Sequence, residues 1–225
     1  MLPLNLSKNA DGGLTVLCLG AHCDDIEIGC GGTLLYLKSA FPQVRFHWVV
    51  FSAAGVRAQE AAKAAELFTA GCEKALALKD FRDGFLPYSG AQVKDYFEEI
   101  KAQVKPDLIF THWHGDAHQD HRLISELTSN TFRNHTILEY EIPKYDGDMG
   151  RPNLYVPFGP EVYQAKIRYI FDAFQSQHTK HWFQRDTFLA LMRLRGMECA
   201  APSNHAEAFH SRKSVLQFPK TSSVI

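Results

Sequence analysis

The 225-residue sequence lacks the features that mark disulfide-stabilised, secreted or membrane-spanning proteins. It has only five cysteines, an odd number without a CxxC pair, which argues against a disulfide framework and against a structural zinc knuckle. No apolar run approaches the length of about 20 residues that a membrane helix needs. Residues 1–8 lack a basic segment followed by a long apolar stretch, so we expect no signal peptide. Together these absences favour a cytoplasmic protein.

The sequence also lacks an excess of charge of either sign, because 24 Lys and Arg residues are balanced by 25 Asp and Glu residues. A formal net charge of -1 creates no field that would attract nucleic acid or an anionic membrane. Hydrophobic residues make up 45% of the chain, close to the globular average, so a sizeable core can form. We therefore expect one domain over residues 1–225, with a small-molecule partner and no nucleic acid.

Short apolar runs alternate with helical segments along the chain, which is typical of a parallel sheet flanked by helices. The runs that predict strands lie at 14–19, 44–51, 75–78, 107–110 and 137–142. Helices are predicted to open at Thr33 and to cover 57–68, 91–104, 161–174 and 186–194. Residues 143–160 carry Pro, Gly, Asp and Asn and predict a long loop, a candidate lid or substrate wall. The expected fold is Rossmann-like α/β with right-handed crossovers.

Two segments of histidine and acidic residues each follow a predicted strand. Residues 21–25 have the sequence AHCDD, and residues 118–121 have the sequence HQDH. In an open α/β sheet, ligands bind outside the carboxyl ends of the strands, where both segments are expected. A catalytic zinc takes three protein ligands and leaves one position for water, a requirement that His22, Asp25 and His121 meet. The sequence thus predicts a hydrolytic site with one zinc per chain.

The remaining side chains of these segments suit proton transfer. Zinc lowers the pKa of a bound water from about 15.7 to about 7, and a neighbouring carboxylate can take the remaining proton. Asp24 is the candidate base, because adjacent residues on an extended turn point in different directions. His118 suits the stabilisation of an oxyanion and the protonation of a leaving amine. Asp120 is a candidate to accept a hydrogen bond from an imidazole and fix its tautomer.

These motifs, in this order, resemble those of the LmbE/PIG-L family of zinc-dependent N-acetylglucosaminyl deacetylases. That family carries an AHPDD motif after its first strand and an HPDH motif after a later one. The resemblance covers most of the chain. Further similar segments are the family's arginine helix at 57–64, a later helix with Lys166 and 176–177, and the AEAF signature at 206–209.

The resemblance implies a Rossmann-like fold and a zinc-dependent reaction. The zinc ligands that it implies are His22, Asp25 and His121. It also implies Asp24 as general base, His118 as the residue that stabilises charge on the intermediate, and Asp120 as the residue that orients His118. Cys23 and Gln119 replace the usual prolines of the motifs, which frees φ and restores a backbone N–H. Every ligand and proton-transfer group is kept.

The expected substrate is an N-acetylated amino sugar or a conjugate of one, cleaved to acetate and a free amine. The preference for a sugar comes from the resemblance alone. Arg57, Trp113 and His114 are the candidate substrate-binding residues, since they offer a wall and hydrogen-bond donors for a hydroxyl-rich ring. The group attached to the sugar is left open. So is a homo-oligomeric state.

Two other functions compete with this hypothesis. Residues 111–116 begin like the HxHxDH signature of metallo-β-lactamase-fold enzymes, which usually bind two metals, but the signature fails at Ala117. The second alternative is a non-catalytic binding protein on the same fold, which the retention of base, ligands and oxyanion residue disfavours. Metal stoichiometry tests the first alternative, and activity on an N-acetyl sugar tests the second.

Overall fold

The structure is a computed structural model that describes residues 3–6 and 13–216. Its centre is a seven-stranded sheet with the order β3-β2-β1-β4-β5-β7-β6. The strands are β1 Leu14–Gly20, β2 Val44–Val50, β3 Glu73–Leu78, β4 Leu108–His112, β5 Thr136–Tyr140, β6 Leu154–Pro157 and β7 Ala206–His210. The helices are α1 Asp25–Ala40, α2 Gly55–Thr69, α3 Gly90–Gln103, α4 Gln119–Thr131, α5 Pro160–Ala173 and α6 Arg185–Glu198. Short 3₁₀ turns occupy Leu86–Ser89 and Gln175–Gln177.

The sheet is mostly parallel, and helices cover both faces. Strands β1 to β5 pair in parallel, whereas β7 runs antiparallel to both β5 and β6. The expected Rossmann-like fold is confirmed. The chain moves outward from β1 to β2 and β3 and then returns to β4 on the other side of β1. The carboxyl ends of β1 and β4 therefore lie side by side at the point where the strand order reverses, the usual place for a site.

Side chains of β1 alternate between two apolar cores, one on each face of the sheet. Val16 and Cys18 belong to the core that α1, α2, α5 and α6 cover. Leu17 and Leu19 belong to the core beneath α3 and α4. Because successive residues of a strand point to opposite faces, a strand buried on both faces must be apolar throughout. This explains the continuous apolar run from which β1 was predicted.

Helix α1 begins at Asp25, eight residues before the predicted opening at Thr33, so that prediction was wrong. Glycines at 29, 31 and 32 lower the helix propensity of this stretch and hid its start. All three are required by close packing, and the closest approaches are at Gly29 and Gly31. A Cβ on Gly29 would lie 2.2 Å from the Tyr140 ring, and one on Gly31 would lie 2.6 Å from the Phe68 ring. The glycines therefore let α1 approach the sheet and its neighbouring helix.

The segment 143–160 is not entirely a loop as predicted, because it contains β6. The prediction also omitted α4 and β7. β6 and β7 are short strands whose pairing joins segments about 50 residues apart, which no local pattern encodes. The single domain expected over residues 1–225 stays a prediction, because 1–2, 7–12 and 217–225 fall outside the described residues, as does part of the segment tested for a signal peptide. Among described residues, every helix is too short or too polar to span a membrane.

Candidate metal centre

The two predicted segments come together at the carboxyl ends of β1 and β4. Residues 21–24 lead from β1 into α1, whose first residue is Asp25. Residues 113–118 lead from β4 into α4, which carries His121 in its first turn. The N-terminal ends of both helices are oriented toward the same region, and helix N-termini favour nearby carboxylates. The parallel pairing of β1 with β4 thus unites residues almost 100 positions apart.

His22, Asp25 and His121 have the spacing of ligands to a common ion. His22 Nδ1 lies 3.1 Å from His121 Nε2, Asp25 Oδ2 lies 3.4 Å from His22 Nδ1, and Asp25 Oδ1 lies 3.5 Å from His121 Nε2. Donors at about 2.0–2.1 Å from a tetrahedral zinc are about 3.4 Å apart, so these atoms fit zinc. Burial and the neighbouring His112 lower the pKa of His121 to about 4, whereas the neighbouring carboxylates raise the pKa of His22 above its usual value despite its burial. Because a ligating imidazole must be neutral, binding of an ion at His22 would release a proton.

Within the described residues, three overlapping groups of side chains have ligand atoms close enough for one ion. They are His22, His118 and His121; Asp25, His112 and His121; and His22, Asp83 and Asp120. Because the groups share members, they form one patch rather than three sites. Two imidazoles of the patch are engaged with backbone: Ala21 N lies 3.0 Å from His112 Nε2, and Asp120 N lies 3.2 Å from His118 Nδ1.

Asp116 orients His121 from outside the ligand cluster. Its Oδ2 atom lies 3.0 Å from His121 Nδ1 and accepts a hydrogen bond from Lys144 Nζ at 2.9 Å. Although burial opposes ionisation, these two partners hold the pKa of Asp116 well below its usual range. A carboxylate on the far nitrogen of a ligating imidazole fixes the ring and its tautomer.

The expectation that Asp120 orients His118 stays a prediction, since Asp120 meets that ring through its backbone N–H, 3.2 Å from His118 Nδ1. The carboxylate of Asp120 contacts His22 instead. Its Oδ2 atom lies 3.2 Å from His22 Nε2. The same carboxylate accepts hydrogen bonds from Gly84 N at 2.8 Å and from Leu86 N at 3.1 Å. Asp120 is therefore buried between an imidazole of the patch and the loop that follows β3. The imidazole whose tautomer the Asp120 carboxylate is placed to fix is that of His22.

Asp83 on that loop is a member of the patch that sequence reasoning missed. Its Oδ1 atom lies 3.2 Å from His22 Nε2, while 80% of its side chain is exposed. No residue pattern around position 83 distinguishes it from an ordinary solvent-facing turn. Its placement depends on the hydrogen bonds that Gly84 N and Leu86 N, just after Asp83, donate to the Asp120 carboxylate. Only the tertiary structure reveals these contacts.

His118 is the N-cap of α4, and its side chain accepts the Asp120 backbone N–H. Because Nδ1 is the acceptor, the neutral ring carries its proton on Nε2. Burial and the nearby His22 lower the pKa of His118, so the neutral form is favoured. Its ring lies edge-on to His22 at 4.8 Å and stacks on His121 at 4.6 Å. A half-buried N–H donor therefore lies beside the three candidate ligands.

Asp24 is buried and paired with Arg57. Its Oδ1 atom lies 3.0 Å from Arg57 Nη2, and the second terminal nitrogen of Arg57 lies 3.0 Å from Glu60 Oε2. Burial raises the pKa of Asp24, and Arg57 opposes this rise. Arg57, a predicted substrate-binding residue, thus lies at the site and contacts the candidate base. A quarter of its side chain remains exposed.

Trp113 and His114 lie toward β5 and β7. The Trp113 ring stacks on His210 with centroids 4.6 Å apart, and His114 Nδ1 lies 3.0 Å from Glu139 Oε2. Their role in substrate binding stays a prediction. His114 belongs to none of the ligand groups found among the described residues, so the two histidines of the HxH pattern do not form a joint chelate. This arrangement does not favour a metallo-β-lactamase-type centre.

The fold and the patch define an α/β protein with a candidate metal centre at the switch point of its sheet. The sequence profile of the PIG-L family, described as GlcNAc-PI de-N-acetylase, matches residues 17–132. The match covers just over half of the chain and includes both halves of the patch. The chain belongs to the PIG-L family, a family of deacetylases, as the motifs predicted.

Solved structures with the same fold extend over almost the whole chain. The conserved protein TT1542 from Thermus thermophilus is 21% identical with a TM-score of 0.71, covering 93% of this chain and 100% of that one. N,N'-diacetylchitobiose deacetylase from Pyrococcus horikoshii is 21% identical with a TM-score of 0.69, covering 88% and 83%. GalB, the 4-carboxy-2-hydroxymuconate hydratase from Pseudomonas putida KT2440, is 16% identical with a TM-score of 0.65, covering 94% and 99%. One fold thus carries more than one reaction, and only the site can decide between them.

Proposed function

We propose that the protein is a zinc-dependent hydrolase that removes the N-acetyl group from an amino sugar or its conjugate. The observation that carries the proposal is the spacing of 3.1–3.5 Å among the ligand atoms of His22, Asp25 and His121, with Asp24 adjacent in the chain. These three residues would hold one zinc ion per chain. Membership of a deacetylase family supports the reaction type.

Each proton-transfer group has a distinct task in amide hydrolysis. Zinc, when bound, polarises the amide carbonyl and makes a water molecule acidic enough to attack at neutral pH. Asp24 accepts the proton of the attacking water. The Nε2–H group of His118 would donate a hydrogen bond to the oxyanion that develops on the amide carbonyl, and Asp24 would pass the proton taken from the water to the departing amine. Asp116 and Asp120 hold the rings of His121 and His22.

The names of the matching family and of one structural neighbour support an N-acetylated amino sugar as the substrate class. The PIG-L profile is described as a GlcNAc-PI de-N-acetylase, and one structural neighbour deacetylates diacetylchitobiose. Arg57, Trp113 and His114 remain the proposed substrate contacts. We also propose a cytoplasmic location.

Elemental analysis of protein purified without added metal tests the zinc proposal. We expect about one zinc per chain. A His121→Ala variant should lose the metal, whereas His178→Ala, which alters an exposed histidine near Gln175–Gln177, should keep it. Two tightly bound metals per chain, or full retention in His121→Ala, would contradict the ligand assignment.

A panel of N-acetylhexosamines, free and conjugated, tests the reaction by detection of released acetate and free amine. At least one compound should be turned over, with activity abolished by a chelator and restored by zinc. If the zinc-loaded protein instead cleaves lactams or phosphoesters and leaves every N-acetyl sugar intact, the deacetylase proposal is wrong.

A further inference from the structure

Arg57 bridges two carboxylates, only one of which belongs to the patch. Its Nη2 atom lies 3.0 Å from Asp24 Oδ1, and its Nη1 atom lies 3.0 Å from Glu60 Oε2. The planar guanidinium presents its donors in a fixed fork, so the position of one partner constrains the direction in which the other is bound. The Phe174 ring lies 5.4 Å from the guanidinium carbon and supports its face.

Glu60 is itself held by the 3₁₀ turn that follows α5. Ser176 N donates to Glu60 Oε1 at 2.7 Å, and Ser176 Oγ donates to Glu60 Oε2 at 2.7 Å. With the contact from Arg57, the carboxylate has three donors. Although burial opposes ionisation, these donors lower the pKa of Glu60. Glu60 is therefore an ionised side chain with a fixed geometry.

Burial of an anion at this position carries a desolvation cost. The residue is 7% exposed, and the other buried residues of α2 are Ala61, Ala64, Ala65, Phe68 and Thr69. An apolar residue on this helix face would pack without a desolvation cost. Instead, a chain of hydrogen bonds and ion pairs runs from Ser176 through Glu60 and Arg57 to Asp24, and it connects three separate elements of the fold.

We propose that Glu60 is a positioning residue that acts through Arg57 to hold the Asp24 carboxylate in the direction needed for proton transfer. This inference rests on the proposed function, because it takes Asp24 as the general base. Without Glu60, the guanidinium keeps one partner and gains rotational freedom, so Asp24 loses its fixed orientation. Displacement of a reacting group by about 1 Å can cost about 100-fold in rate.

Glu60→Gln tests the inference on any N-acetyl sugar that the wild-type protein turns over. We expect kcat to fall by about 10- to 100-fold, a larger change than that in KM, since the loss of proton transfer adds to any loss of substrate contact by Arg57. Ser176→Ala should show a smaller loss of the same kind, and Ser176→Thr, which keeps the hydroxyl, should restore it. Glu66→Gln is the matched control, because Glu66 lies on the same helix with an exposed side chain. An unchanged kcat in Glu60→Gln, or a loss confined to KM, would overturn the proposal.

A second measurement does not depend on turnover. Urea unfolding of Glu60→Gln, Asp24→Asn and the double variant forms a thermodynamic cycle. If Arg57 couples the two carboxylates, the effects on the unfolding equilibrium constant should depart from additivity by about threefold or more. Additive effects would refute the relay. A wild-type protein that deacetylates nothing on the panel would refute the proposed function, and this cycle would still decide whether the relay exists.

Discussion

A buried carboxylate on β7 tests how strongly the hydrogen bonds around α1 stabilise the fold. Glu207 on β7 accepts four hydrogen bonds: Oε1 from Gly32 N at 2.7 Å and Lys166 Nζ at 2.6 Å, and Oε2 from Thr33 N at 2.7 Å and Thr33 Oγ1 at 2.6 Å. These contacts connect β7 and α5 to the middle of α1, the helix that begins at Asp25. Glu207→Gln keeps the shape of the side chain and removes the charge.

The expected loss of unfolding free energy follows from the number of donors that lose their acceptor. The amide introduced by Glu207→Gln would place an N–H group where two of the four donors now find an oxygen, and it would leave Lys166 buried without its counterion. An unsatisfied buried polar group costs about 1–3 kcal/mol, and removal of one partner of a buried ion pair costs about 3–5 kcal/mol. These ranges describe the same loss, so we expect about 3–5 kcal/mol in total. For a domain of this size, that corresponds to a fall in Tm of roughly 6–20 °C.

Urea unfolding and differential scanning calorimetry of Glu207→Gln would measure this loss. The control is Glu66→Gln, which breaks the pair between Glu66 and Lys74, in which Glu66 is 66% exposed. An exposed pair of this kind contributes about 0–1 kcal/mol. If Glu207→Gln costs no more than the control, the buried network does not stabilise the fold and the reasoning fails.

Three further predictions concern the base, the packing of α1 and the response to acid. The Asp24→Asn variant should retain zinc by elemental analysis, while its kcat should fall by about 10²- to 10⁴-fold. Loss of zinc in this variant would show that Asp24 is a metal ligand and not the base. Gly29→Ala should lower the unfolding free energy in urea by about 1–3 kcal/mol, because the new Cβ would lie 2.2 Å from the Tyr140 ring. Gly90→Ala is the control, since Gly90 has open space around it and helical dihedrals, and it should be neutral or stabilising in the same urea titration. Burial lowers the pKa of His210 from 6.5 to about 4, so between these pH values the unfolded chain binds a proton that the folded chain does not. The unfolding free energy should therefore fall as pH falls from 6.5 to about 4. His210→Phe should flatten this pH dependence in urea titrations at several pH values, and an unchanged slope would contradict the lowered pKa of His210.

The sequence by itself determined the features that depend on local pattern. Continuous apolar runs specify strands buried on both faces, and their alternation with helices specifies the parallel α/β sheet. The residue types at 21–25 and 118–121 also carry the resemblance to the family, whose profile matches residues 17–132. These inferences need only neighbouring residues, whose spacing along the chain is fixed by the geometry of helices and strands.

Only the tertiary structure decided which side chains meet. The register of β1 against β4 sets His22 beside both His121 and Asp120. No local pattern shows that the Asp120 carboxylate contacts His22 while its backbone N–H contacts His118. Asp83 enters the patch through a loop whose path depends on hydrogen bonds to α4. The contact of Glu60 with Ser176 spans 116 residues. Such contacts arise from the packing of distant segments, whose free energy is shared over the whole core and leaves no signature in a short stretch of sequence.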